Sequence, residues 1–197
     1  MSMPLLSQID AVALDFEATG SAPGFMNAPW QIGLVMISNG HVDLNHSFNS
    51  LLRVSKEQPF NPYAPGRWAQ LREEISQAPT MQELWTTLRE FLQGRPLIAH
   101  HAPTERGLLG QEFPLQEFGP WVDTLAIAKH AFPHQKDFKL ENLIPRLGLS
   151  AIMSERCPNL EPHDAFYDAV ACATLLETVL AAPGWHEMPL EQYVAMR

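Results

Sequence analysis

Residues 5–16 read as an opening strand, made nearly apolar on both faces by Ala11 and Ala13 on one and Val12, Leu14 and Phe16 on the other. A strand apolar on both faces belongs in the middle of a sheet, where each face is covered. Residues 31–37 read as a second strand. Ser38-Asn39-Gly40 then gives a hairpin signal, and residues 41–48 return as a third strand. The chain therefore opens with an antiparallel portion. Helical spacing takes over at Met81, Leu84, Trp85, Leu88, Phe91 and Leu92, with Thr80-Met81-Gln82-Glu83 in the form of a capping box and Gly94 just past the end. Leu97-Ile98-Ala99 predicts a short strand, and Pro103 the start of a helix. Residues 122–131 and 138–147 read as further helices, the second stopped by Gly148. The last long helix spans about 164–180, ahead of Pro183-Gly184. A mixed sheet with helices packed on it afterwards predicts an α/β domain with a partly antiparallel sheet.

Composition narrows the class. The 197 residues are 46% hydrophobic and 18% charged, which suits one domain with a sizeable core and excludes disorder or a disulfide scaffold. No composition break or repeat marks a second domain, so residues 1–197 are expected to form one unit. Its motif-bearing part covers about 8–180, followed by a tail at 183–197. The apolar tail residues Trp185, Met188, Leu190, Tyr193 and Val194 are expected to dock on the domain itself, the alternative being a protein partner or a homodimer. The two cysteines, Cys157 and Cys172, form no CxxC pair, which excludes a zinc ribbon and suits free thiols in a reducing cytoplasm. The opening MSMPLLSQID lacks the features of a signal peptide, and the longest mostly apolar stretch, 170–182, is interrupted by Glu177 and shorter than the ~20 residues of a membrane span. A soluble, cytoplasmic protein with no membrane partner is expected. The net charge of −9 argues against a general nucleic-acid-coating role but not against a nuclease, because bound cations reverse the local sign of a carboxylate cluster.

Three segments place acids and histidines in apolar surroundings. Asp15-Phe16-Glu17 closes the opening strand, and residues two apart on a strand project from the same face. Two carboxylates so close repel unless a cation lies between them, and oxygen-only ligation suits Mg²⁺ or Mn²⁺ better than zinc. His100-His101-Ala102-Pro103-Thr104-Glu105 carries an acid into the first turn of a helix. His163-Asp164-Ala165-Phe166-Tyr167-Asp168 puts an N-cap at Asp164, His163 just outside the helix and Asp168 about one turn inside. Singly, each has an ordinary explanation: acids at a strand exit, Glu105 complementing a helix dipole, His163 on a polar loop.

Taken in order, LDFEATG, IAHHAPTERGLL and HDAFYDAVACATLL resemble the three exonuclease motifs of the DEDDh superfamily of 3′–5′ exonucleases, the group of the epsilon proofreading subunit of DNA polymerase III, ribonuclease T and oligoribonuclease. APTMQELWTTLREFLQG and VDTLAIAKHAFP with KLENLIPRLGL resemble its connecting regions. The resemblance implies a ribonuclease H-like mixed five-stranded sheet, partly antiparallel and flanked by helices. It implies that Asp15, Glu17, Glu105 and Asp168 hold two divalent cations, Mg²⁺ or Mn²⁺, with His163 as general base. The implied activity is release of nucleoside 5′-monophosphates from the 3′ ends of single-stranded DNA or RNA. Phe16, Ala18, Thr19, Gly20 and His101 are the candidate contacts to substrate, with Phe16 equally suited to the core. Two positions depart from the family pattern: Glu105 stands where Asp is usual, and His101 where Asn commonly follows the first His. They mark a divergent branch. The alternatives are a catalytically weak or inactive nucleic-acid-binding accessory module, or a phosphodiesterase on very short oligonucleotides. The acidic balance and the absence of a Lys/Arg cluster favour short substrates.

Overall fold

The computed structural model describes residues 4–196; the first three residues and Arg197, which belong to the expected 1–197 domain, lie outside the described residues. Strands β1 (Ala11–Ala18), β2 (Pro29–Ser38), β3 (His41–Leu51), β4 (Leu97–Ala99) and β5 (Trp121–Asp123) form one sheet in the order β3-β2-β1-β4-β5. β1 lies at its centre, antiparallel to β2 and parallel to β4, while β2–β3 is antiparallel and β4–β5 parallel. The helices are α1 (Arg72–Gln77), α2 (Trp85–Leu92), α3 (Ala102–Glu112), α4 (Thr124–Ala131), α5 (Leu140–Arg146), α6 (Ser150–Arg156), α7 (Ala165–Leu180) and α8 (Leu190–Ala195).

The double-sided apolar pattern of β1 is satisfied by two cores. Ala11 and Ala13 face a cluster built with α5 and α7, whereas Val12, Leu14 and Phe16 face a second one built with α2 and α3. The hairpin forms as its sequence demands, with Asn39 (φ 51°) and Gly40 (φ 79°) both left-handed. The reciprocal bonds of the capping box form, the Thr80 N–H donating to Glu83 Oε2 at 2.7 Å and the Glu83 N–H to Thr80 Oγ1 at 3.2 Å. They close the turn at 81–84 and do not cap the helix, which starts at Trp85 behind Leu84. The tail residues Trp185, Met188, Leu190 and Val194 pack on the first core, and Tyr193 is buried within it.

Several boundaries differ from expectation. The first strand starts at Ala11, because Leu6–Gln8 closes a 3₁₀ turn that buries Leu6 and Ser7 without joining the ladder. The stretch 122–131 is not one helix. Trp121–Asp123 pairs with β4 as the fifth strand, and Asp123 then caps α4 by accepting the Leu125 N–H at 2.9 Å. Val122 serves strand and helical period alike, so periodicity alone hides the junction. The short helices α1, α6 and α8, six or seven residues each, escaped the pattern because so few turns give little period to read.

One close approach sets up the site. Gly33 of β2 lies opposite Asp15 of β1, and a Cβ at Gly33 would fall 2.3 Å from the Ala165 carbonyl oxygen. Glycine there lets the first turn of α7 rest on the sheet backbone, beside the end of β1.

Candidate active site

Asp15 and Glu17 continue the face of β1 that carries Ala11 and Ala13, so both carboxylates project toward α7. Their neighbour Phe16 points to the other face, where its side chain is buried in the second core. Glu105 enters from the first turn of α3. That helix is reached through His101, which is left-handed at φ 73° and whose N–H donates to Asp123 Oδ1 at 2.9 Å. Glu105 is 4% exposed, and its Oε2 accepts the Phe16 N–H at 3.2 Å. The extra methylene relative to Asp is thus accommodated by a bond to the β1 backbone.

The third contribution comes from the start of α7. Asp164 caps the helix through Oδ1, accepting the N–H groups of Phe166 and Tyr167 at 3.1 and 3.3 Å, while its Oδ2 accepts from Gln31 Nε2 at 3.0 Å. Gln31 Oε1 accepts the Ala165 N–H at 3.3 Å, so one side chain of β2 grips this helix end twice. His163 is left-handed at φ 68°, and its N–H donates to Asp168 Oδ2 at 2.9 Å. Ligand atoms of Glu17, His163 and Asp168 all lie within 4.8 Å of one another.

Crowding shows in the electrostatics. Burial first, then repulsion from Asp168, Asp164 and Glu105, pushes the Glu17 carboxyl up to about 8. Burial also raises Glu105 to about 8 against the bond from Phe16, and Asp168 to about 6 against the bond from His163. Asp15 is raised well above the usual carboxylate range by burial and then by the charges of Glu105, Asp168 and Glu17. Among the described residues, none of these four carboxylates forms an ion pair with Lys or Arg.

Other predicted residues have different surroundings. Thr19 is fully buried, its Oγ1 accepting the Ala28 N–H at 3.1 Å. Ala18 and Gly20 flank it where the chain passes beneath the 53–71 loop, which is joined there by the Asn61 N–H to the Thr19 carbonyl at 2.8 Å. His101 is exposed, with Nδ1 2.8 Å from Thr104 Oγ1. The neighbouring His100 is a fastener instead: Nε2 donates to the Phe138 carbonyl at 2.7 Å and Nδ1 lies 3.0 Å from Thr124 Oγ1.

Two participants were not singled out from the sequence. Glu141, in the first turn of α5, places Oε2 2.7 Å from His163 Nε2. Gly66 of the 53–71 loop comes so near that a Cβ would fall 3.1 Å from the His163 carbonyl oxygen and 3.2 Å from Glu17 Oε2. The acid two residues beyond Lys139 is an ordinary first-turn acid in the sequence, and a loop glycine gives no sign of its target. The resulting cleft, about 400 Å³, is lined by Pro65, His100, Lys139, Glu141, His163 and Asp168.

The exonuclease family model matches residues 12–176. The chain belongs to that family. The chain is 26% identical over 184 residues to a DNA polymerase III subunit epsilon-like protein of Rhodobacter capsulatus, a match covering 90% of this chain and 24% of that protein. It is 24% identical over 182 residues to a protein of Staphylococcus aureus named 3′-5′ exonuclease DinG, covering 90% and 19% respectively. The chain thus spans about a quarter or less of the length of these curated relatives. Its fold is similar to the solved nuclease domain of 3′hExo, a DEDDh family member bound to rAMP, with a TM-score of 0.70 at 15% identity over 92% of this chain and 96% of the other. The ribonuclease H-like architecture expected from the motifs is therefore the one this chain adopts.

Proposed function

We propose that the chain is a metal-dependent 3′–5′ exonuclease that hydrolyses the terminal phosphodiester of a single-stranded nucleic acid and releases nucleoside 5′-monophosphates. The observation that carries this reading is the convergence of Asp15, Glu17, Glu105 and Asp168, without a Lys or Arg partner among the described residues, beside His163 at one end of the sheet. Four crowded carboxylates, Glu17 and Glu105 buried and Asp15 and Asp168 half-buried, are unfavourable together unless something positive joins them. Their oxygen donors suit a hard divalent ion of the Mg²⁺ or Mn²⁺ class. The relative named as a 3′-5′ exonuclease supports the polarity.

Two such cations, held by these four residues, would supply the charge that activates water and steadies the leaving 3′ oxygen. His163 acts as the general base. With Nε2 tied to Glu141, its Nδ1 is the nitrogen left to take a proton from the attacking water. Asp168 fixes the backbone of that histidine, so base and carboxylate cluster stay in register. The backbone of Ala18 and Gly20, braced by the packed side chains of Phe16 and Thr19, and exposed His101 at the rim are the proposed contacts to the terminal nucleotide.

The test is incubation with 5′-labelled single-stranded DNA and its RNA equivalent in Mn²⁺, Mg²⁺ or EDTA. A ladder shrinking from the 3′ end and abolished by EDTA is expected. Intact strands with both metals on both nucleic acids would refute the reading.

A further inference from the structure

Three of the four lysines of this acidic chain, Lys129, Lys136 and Lys139, fall within eleven residues that also hold His130 and His134. The expectation that no basic cluster exists is corrected here. Lys129 lies in the last turn of α4, and Lys136 and Lys139 lie in the loop that joins α4 to α5. The one acid in the segment, Asp137, is engaged locally, accepting the Lys139 N–H at 3.0 Å and Asn142 Nδ2 at 2.7 Å.

This loop borders a second cleft, about 360 Å³, that shares His100 and Lys139 with the catalytic cleft. Leu125 and Phe138 give it apolar surface, and Lys136 and Lys139 give it positive charge on either side of Asp137, which also lines it. The bond from His100 to the Phe138 carbonyl ties the loop to the end of β4, so the trough is built before any ligand arrives. Lys136 is exposed and, among the described residues, has no ion-pair partner; Lys139 is 74% exposed and 3.9 Å from Glu141. On another side the site is walled by the 53–71 loop, pressed onto Glu17 through Gly66. An apolar floor with flanking ammonium groups is the pattern that holds single strands, bases on the floor and phosphates on the cations.

We propose that the strand 5′ of the scissile bond leaves the catalytic cleft through this trough, its phosphates on Lys136 and Lys139 and a base on the Leu125–Phe138 surface. The inference rests on the exonuclease reading above, and it makes strands of several nucleotides, rather than the shortest fragments, the better substrates.

The test compares kcat/KM on a twenty-nucleotide single strand with kcat/KM on a nitrophenyl ester of thymidine 5′-monophosphate, which carries no strand beyond the scissile phosphate. Lys136→Glu is expected to lower the ratio of the two several-fold. Lys136→Ala is expected to flatten the salt dependence of log kcat/KM by about 0.7 per lost phosphate contact. Arg89→Glu, the same change of charge on an exposed site of α2 outside both clefts, leaves the ratio where it was. The drop should be found with DNA and RNA strands alike, since the phosphodiester is common to both. An unchanged ratio, or a drop confined to one sugar, overturns the trough assignment while the exonuclease reading stands. Loss of hydrolysis of every substrate by the wild type would instead sink that reading.

Discussion

His163 Nε2 lies 2.7 Å from Glu141 Oε2 while the N–H of the same histidine donates to Asp168 at 2.9 Å, so the proposed base is held from α5 and α7 together. A carboxylate on one ring nitrogen orients an imidazole and sets which nitrogen is free to accept a proton. Glu141→Gln should therefore lower kcat by about 10–100-fold, the range seen when such supporting partners are removed. His163→Ala should lower it by roughly 10²–10⁴-fold. Because Glu141 acts through His163, the double variant should be no slower than His163→Ala alone. Multiplying losses in that cycle would show that Glu141 works independently.

Glu105 has two tasks that substitution can separate. Glu105→Asp shortens the side chain and withdraws the acceptor from the buried Phe16 N–H, an unpaired group that costs about 1–3 kcal/mol. Glu105→Gln keeps an amide oxygen for that bond and removes the charge. Melting should thus be lowered by Asp and preserved by Gln, whereas calorimetric Mn²⁺ titration should show weakened binding with Gln. A variant Asp that melts with the wild type would detach Glu105 from the β1 backbone.

The crowded carboxylates predict a particular pH dependence for the metal-free protein. Glu17 titrates near 4.5 when exposed and at about 8 when folded, so the folded state holds more protons between these values. Its contribution to stability is complete below about 4.5 and fades as pH rises through about 8; Glu105 follows the same course, and Asp168 fades nearer 6. Urea denaturation in EDTA should show decreasing stability across this window, and saturating Mn²⁺ should remove most of the decrease. A metal-free curve that rises over the same range would contradict the assigned protonation.

Gly33→Ala tests how the site is assembled. The added methyl would meet the Ala165 carbonyl at 2.3 Å, and backbone on both sides leaves no flexible group to yield. A loss of about 1–3 kcal/mol is expected for such overpacking. Displacement of the α7 N-terminus should also weaken metal binding. Wild-type affinity in a folded Gly33→Ala protein would mean that the helix end tolerates a shift.

Local features were legible in the sequence for local reasons. Asp15 and Glu17 share a face by strand period, Asp164 caps a helix of strong pattern, and the Asn39-Gly40 turn and Thr80–Glu83 box depend only on near neighbours. What stayed hidden depends on distant parts of the chain. Gln31 meets Ala165 and Asp164, Glu141 meets His163, and Gly66 meets Glu17 only after folding. The boundary at Thr124 was obscured because β5 supplies just three residues before the helix begins. Phe16 was ambiguous between core and substrate until the second core gave its side chain a place.

Placing β1 at the centre of the sheet has a consequence for how this protein could fail. Asp15 lies near one end of the described chain and Asp168 near the other, with Glu105 between them, and each arrives on a different element. A fragment that begins after β1 lacks Asp15 and Glu17, and one that ends before α7 lacks Asp168, so a chain cut at either place should be inert rather than partly active. The same geometry makes metal occupancy a census of the whole molecule: release of the ion during denaturation should coincide with collapse of the sheet, and an indiscriminate, half-assembled nuclease would have no stable form.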